Sequence, residues 1–329
     1  MRSRFLGVSP QPGKVVSERR TIGALPDGTP LSIPIILICG RADGPTVYLQ
    51  AGIHGNEVTG IQALVTLLQQ INVDSVHGLI VATPVANPGA FLTRSRGFSL
   101  EERGPVDINR IFPGSASGTL SEQVAYVIAE QFVRQADVSI SFHSALFGCN
   151  IHPFAYIDPD DDHSGTLQVR LKLSRAFGFD LAYFKKGGTK LGTSDMSGSL
   201  SAWADRESIP VFTVEFGESD RVTWAYIPKA VAGALNALRV LGSLNETPME
   251  TQESQRFTSL TLVHAQCGGL LRPLVNLGDV TTEGAVIAEV VDILSREAQP
   301  VISPGTGHVL RMMTLSSVMP GAELFWLAS

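Results

Sequence analysis

A chain of 329 residues with a formal net charge of −6 carries no Lys/Arg-rich run with interleaved aromatics, so a nucleic-acid partner is not expected. Hydrophobic residues at 44% and charged ones at 17% describe a chain that folds, and the longest apolar run, IPIILIC at 33–39, is too short to cross a bilayer. MRSRFLGVSPQPGK has no apolar stretch behind its basic residues, and three scattered cysteines, Cys39, Cys149 and Cys267, form no Cys-x-x-Cys pair; both point to a cytoplasmic protein without a disulfide framework or membrane partner.

At this length a single core is strained, and two domains are expected, residues 1–245 and 257–329. From residue 31 onward, β-branched apolar runs alternate with segments of helical period. The runs predict strands near 32–39, 46–52, 78–85, 138–143, 181–184 and 210–216. The helical segments fall near 58–71, 120–135, 166–177, 198–206 and 224–241, and Thr119 with Glu122 forms a capping box at the start of the second. Such alternation predicts an α/β sheet, where ligands gather at the carboxyl ends of strands. Residues 89–118 have little period of either kind and read as a long functional loop. LNETPMETQESQR, 244–256, is polar and aperiodic and reads as a linker. Beyond it, the turn signals NLGD, TTEG and SPGTG separate short strands, the spacing of a small all-β unit.

AGIHGNEVTG, 51–60, places His54 and Glu57 after the apolar PTVYLQAG, and His143 ends another β-branched run in VSISFHSALFG. Two histidines, one glutamate and an open fourth position for water are the ligand set of a hydrolytic zinc site, with one ion per chain. His54 and Glu57 stand i, i+3, and Gly52 and Gly55 permit the tight strand-to-helix path the pair requires. Against this stands a plainer reading, a core or edge histidine with its hydrogen bonds satisfied. His152 is a runner-up ligand; His77, His163, His264 and His308 read as surface or supporting groups. On the long loop, VDINRIFPGS offers Asn109 and Arg110, an amide and a guanidinium suited to clamp a carboxylate, or to bond the loop's own carbonyls. TRSR supplies Arg94 and Arg96, either able to polarise a substrate carbonyl. PVFTVEFGES, 210–219, ends an apolar strand in Glu215, a candidate general base, with Glu218 available as a helix-capping acid.

In the order HGNE, DINR, SFHS, VEFGE, these motifs resemble the succinylglutamate desuccinylase and aspartoacylase family, a branch of the zinc carboxypeptidase superfamily, over roughly residues 30–242. The resemblance implies a zinc-carboxypeptidase-like mixed sheet flanked by helices. It implies zinc on His54, Glu57 and His143, Glu215 as general base, Asn109 and Arg110 on the carboxylate of the amino-acid part, and Arg96 on the reacting carbonyl. The loop RSRGFSLEERGPVDINR is longer than in the family's best-known members, so Arg94 or Arg103 could replace Arg96, and the family's active-site tyrosine matches none of the five here. The carboxyl-terminal unit resembles a lipoyl-like barrel or sandwich. The last lysine is Lys229, so a carrier role is excluded and a structural or lid role is left. The activity implied is zinc-dependent hydrolysis of an N-acyl amino acid, a deacetylase or desuccinylase, with a small-molecule partner. The alternatives are a zinc carboxypeptidase whose Arg110 grips a peptide's terminal carboxylate, and a non-catalytic binding module. Whether the chain forms a homo-oligomer stays open, as do the acyl group and amino acid.

Overall fold

A computed structural model describes residues 11–101, 104–157, 165–184, 190–191 and 194–329. The strands of the first part are β1 (Lys14–Ala24), β2 (Pro30–Cys39), β3 (Ala42–Ala51), β4 (His77–Thr83), β5 (Val138–His143), β6 (Cys149–Ile157) and β7 (Leu181–Phe184). A two-residue ribbon, β8 (Lys190–Leu191) and β9 (Ser194–Asp195), precedes β10 (Val211–Glu218). The helices are α1 (Val58–Gln70), α2 (Pro88–Leu92), α3 (Leu120–Tyr126), α4 (Thr166–Phe177), α5 (Leu200–Arg206) and α6 (Ile227–Val240).

Apart from the β8–β9 ribbon, these strands belong to a thirteen-stranded mixed sheet in which β4, β3, β5 and β10 run parallel and β2 and β6 flank them antiparallel. Both faces of its centre are covered, as strands apolar on both sides require. In β3, Val47, Leu49 and Ala51 enter one core with α1, α4 and α6, while Tyr48 enters the other with α3 and α5. That alternation is the strand's two-residue period.

The carboxyl-terminal strands are β11 (Gln255–Phe257), β12 (Leu260–His264), β13 (Gly269–Pro273), β14 (Val280–Thr281), β15 (Val286–Val291), β16 (Ala298–Ile302), β17 (Gly307–Met313), β18 (Ser317–Val318) and β19 (Glu323–Ala328). β13, β15, β16 and β18 make a separate antiparallel sheet. It shares a core of Val263, Ile287, Val290, Val309, Phe325 and Leu327 with β12, β17 and β19. The latter three extend the large sheet through the β6–β17 ladder, in the order β6, β17, β19, β12.

Every strand and helix anticipated between residues 31 and 243 is present within a few residues. Besides the short β8–β9 ribbon, two strands of the large sheet in this part were not anticipated. β1, KVVSERRTIGA, is an edge strand largely exposed along its length, so it has no buried face to write an apolar alternation; β2 holds it through backbone pairing. β6, CNIHPFAYI, contains Pro153, which argues against a central strand. Pro153 sits where the register against β10 shifts between Glu215 and Gly217, and where the opposite neighbour changes from β17 at Ile151 to β7 at Phe154, so no ladder needs its missing N–H. The long loop also contains α2 and a 3-10 turn, Ile108–Arg110. The segment read as a linker is anchored: Asn236 bonds both backbone groups of Met249 (2.7 and 3.1 Å), and Ser254 Oγ donates to Phe179 O (2.7 Å).

Candidate active site

β3 ends at Ala51, and the chain turns through Gly52, at φ +69°, into α1. Glu57 occupies the N-cap position but makes no capping bond. Its carboxylate instead accepts most closely from His54 Nδ1 at 2.6 Å, His143 Nδ1 at 2.9 Å and the Ser144 N–H at 3.1 Å. Both imidazoles therefore face one carboxylate. The helix N-terminus favours the negative charge there, and Gly60 N–H donates to Ser144 Oγ (3.2 Å), tying α1 to the end of β5.

His54, Glu57 and His143 are buried, and one donor atom from each lies within 4.8 Å of the others. Burial would raise the Glu57 carboxyl, but the two imidazoles outweigh it and hold Glu57 well below the usual carboxylate range. Burial and Arg96 press the His54 imidazolium down, yet Glu57 and Asp107 leave it above its ordinary value. A cation bound at this point would neutralise the same carboxylate charge. The residues fit a metal ion by type, convergence and electrostatics.

Asp107, which sequence reasoning passed over, links the surrounding groups. It accepts from His54 Nε2 (3.0 Å), Arg96 Nε (2.9 Å) and the Asn109 N–H (2.9 Å), and stands 3.5 Å from Arg110 Nη1. Burial opposes its ionisation, but those partners hold its carboxyl far below the usual range. Its bond to Nε2 fixes the His54 ring so that Nδ1 faces inward, the task of a carboxylate behind a metal-ligating histidine. The available signal was its place two residues before Asn109 in DINR; in isolation it reads as a loop acid.

Arg96 Nη1 also reaches Glu57 Oε1 at 3.3 Å. Arg110 donates to the carbonyl of Asn109 (2.8 Å), whose side-chain oxygen accepts from the Leu200 N–H (2.9 Å), so the pair bonds the loop's own groups while both side chains line the cavity. Glu215 pairs in register with His143 across β10 and β5. Burial lifts its carboxyl to about 8, His143 opposing and Glu57 adding to the rise. Glu218 points elsewhere, to Arg221 Nε at 2.7 Å.

One cavity is lined by His54, Glu57, His143, Glu215, Arg96, Asn109 and Arg110 together. Arg94 is exposed, at φ +51°, and is not among the lining residues; of the two arginines in TRSR, Arg96 faces the cavity. Arg103 lies outside the described residues. His152 is not part of the converging donor set and packs on Tyr226, ring centroids 6.5 Å apart. The described lining contains Tyr156 as its one tyrosine, on β6, a strand not anticipated.

The sequence model of the succinylglutamate desuccinylase/aspartoacylase catalytic domain matches residues 43–241, more than half of the chain. The chain belongs to this family. Among curated proteins it is 29% identical over 273 residues to the N-alpha-acetyl-L-2,4-diaminobutyric acid deacetylase of Halomonas elongata, covering 82% of this chain and 77% of that protein. It is also 29% identical over 212 residues to the succinylglutamate desuccinylase of Ectopseudomonas mendocina, covering 59% of this chain and 58% of that one. The product-bound ectoine utilization protein EutE (DoeB) of Ruegeria pomeroyi superposes with a TM-score of 0.83 at 22% identity, covering 97% and 96% of the two chains. A Rhodobacter sphaeroides succinylglutamate desuccinylase/aspartoacylase gives 0.81 at 21%, covering 96% and 95%. These superpositions establish the fold, including the carboxyl-terminal β strands.

Proposed function

We propose that the chain hydrolyses the amide bond of an N-acyl amino acid, using one zinc ion held by His54, Glu57 and His143. The observation that carries this reading is that two imidazoles and a carboxylate converge on the same cavity as an uncommitted carboxyl group, Glu215, and three functional side chains of the loop. Zinc in such a set makes a water acidic near neutral pH and polarises a carbonyl.

The chain's own residues divide the remaining work. Asn109 and Arg110 hold the carboxylate of the amino-acid part, which fixes the scissile amide relative to β10. Glu215 takes the proton of the attacking water and returns it to the leaving amine, so one group serves as base and then acid. Arg96, oriented by Asp107, faces the oxygen that gains charge; losing one such donor in other enzymes costs roughly 10²- to 10³-fold in turnover.

The carboxypeptidase alternative needs an open groove for a peptide. Arg311 and Trp326, from strands after residue 257, line this cavity, which supports a closed acyl pocket and a lid role for the 257–329 unit, with 1–245 as the catalytic unit. The test is incubation of the zinc-loaded protein with N-acetyl and N-succinyl amino acids beside short peptides. Release of free amino acid from the acyl compounds is expected; cleavage of peptides alone would overturn the reading.

A further inference from the structure

The loop that carries Arg96, Asp107, Asn109 and Arg110 has a back as well as a front. Behind it lies a second recess, of about 620 Å³, bounded by the turn between β1 and β2 (Leu25, Pro26), the loop itself (Phe98, Glu101, Val106) and the start of α3 (Leu120). None of its lining residues lines the active cavity. Its volume falls within the roughly 300–1,000 Å³ of small-molecule sites, and its wall has their character, apolar with few polar groups.

Glu101 is the polar group that distinguishes this wall. Its Oε1 accepts from the Ser121 N–H at 2.6 Å, which fastens the loop to α3, while Oε2 is buried with no hydrogen-bond partner. A buried acceptor without a donor is unfavourable, and a ligand N–H at that point removes the penalty. The other carboxylate of the wall, Glu122, is committed to its own helix end, where Oε2 accepts from the Thr119 N–H at 2.6 Å. Among the described residues no Lys, Arg or His lines the recess. Its charge is thus negative, the reverse of the loop's front, where Arg96 and Arg110 face the active cavity. Carboxylate-bearing substrates and products are repelled from it. One free carboxylate oxygen in an apolar wall does not suit a bare metal ion, which needs several oxygen donors. It suits an organic ammonium whose body lies against Phe98, Leu25 and Leu120.

The recess also touches the part of the loop that sets the active site. Phe98 and Val106 pair as an antiparallel bridge, so close that a Cβ on Gly97 would lie 2.2 Å from the Val106 carbonyl oxygen. On this narrow stem stand Arg96, two residues before Phe98, and Asp107, next after Val106. They bond to each other at 2.9 Å, and Asp107 holds His54 at 3.0 Å. A body seated against Phe98 and Val106 keeps the stem pressed forward, with Arg96, Asp107 and the His54 ring held in place.

We propose that this recess is an effector site for a small organic ammonium, bound by Glu101 and the apolar wall and coupled to the His54, Glu57 and His143 trio through the Phe98–Val106 stem. Binding there is independent of the reaction catalysed; the coupling requires only that the trio holds zinc.

The probe is benzylammonium, beside benzyl alcohol and benzoate, which keep the ring and change the charge. Calorimetric titration of the native zinc-loaded protein should give benzylammonium a Kd about tenfold or more below that of either comparator. Glu101→Gln keeps an acceptor for the Ser121 N–H and replaces the free oxygen with an amide, so it should remove that preference. Equal binding of the three compounds, binding of none, or a preference that survives Glu101→Gln overturns the site. The coupling is read on the native protein, without a variant. Saturating benzylammonium should lower the zinc titration midpoint about fivefold or more, and zinc should lower the benzylammonium Kd by the same factor. An ammonium bound instead beside Glu57 would compete with the ion and raise the midpoint. A raised or unchanged midpoint therefore overturns the effector role, whether or not any acyl amino acid is hydrolysed.

Discussion

Glu215 is the residue whose chemistry depends most on what its neighbours hold. Burial lifts its carboxyl to about 8, so without a cation it is largely protonated at neutral pH and cannot accept a proton. A divalent ion at the adjacent trio stabilises the carboxylate, so the acid limb of kcat/KM for the zinc-loaded protein should lie below pH 8. Glu215→Gln should bind zinc and lose roughly 10²- to 10⁴-fold in kcat. A Gln variant with near-native turnover would move the base elsewhere. The same group predicts the stability of the metal-free protein. Its folded value lies above the ordinary 4.5, so between pH 4.5 and 8 the folded state holds a proton that the unfolded chain releases, and stability falls as pH rises through that window. Glu57 and Asp107 act oppositely, their contribution present above the ordinary carboxylate range and lost in acid. Melting curves of the chelated protein should therefore show a decline across pH 4.5–8 that Glu215→Gln flattens; an unchanged slope in the variant would refute the burial argument. At this scale the sequence was legible where residue chemistry is rare. Histidine and glutamate at strand ends name themselves, whereas Asp107 acts by bonding four neighbours that only the fold assembles.

Elements determine whether those side chains can meet. The turn between β3 and α1 runs so close to α2 that a Cβ on Gly55 would lie 2.0 Å from the Ala90 carbonyl carbon and 2.2 Å from its oxygen. Neither neighbour is a flexible side-chain end, so Gly55→Ala must push two backbone segments apart. A loss of about 1–3 kcal/mol is expected, with weaker zinc binding because His54 is displaced. Differential scanning calorimetry and zinc stoichiometry test this, and native values for both would show that the turn yields freely. The glycine was visible in the sequence as a turn residue; the reason it must be glycine was not, because α2 lies in a segment read as aperiodic loop. The two missed strands follow the same logic. Pattern reading finds elements that bury a face or alternate, so it finds β3 and β5, but an exposed edge such as β1 and a strand broken by Pro153 leave no such pattern.

On the scale of the whole molecule, the metal trio joins α1, the end of β5 and, through Asp107, the long loop, so the ion should stabilise the fold and not only the chemistry. An ion that binds the folded state alone adds RT ln(1 + [L]/Kd), about 2.7 kcal/mol at a free concentration of 100 Kd. Chelation should therefore lower the melting temperature by several degrees and abolish activity, with zinc restoring both. Asp107→Asn separates the two contributions. It keeps size and an acceptor oxygen but removes the charge that orients His54 and steadies Arg96. Its zinc titration midpoint should move 10- to 100-fold higher, the usual effect of disturbing the partner behind a ligating histidine. At saturating zinc most of the lost thermal stability should return, while kcat stays low because Arg96 and the Asn109 backbone have lost their anchor. If saturating zinc instead restored kcat in full, Asp107 would act on the metal alone, and the reading of it as a link between ligand, oxyanion donor and carboxylate clamp would have to be abandoned.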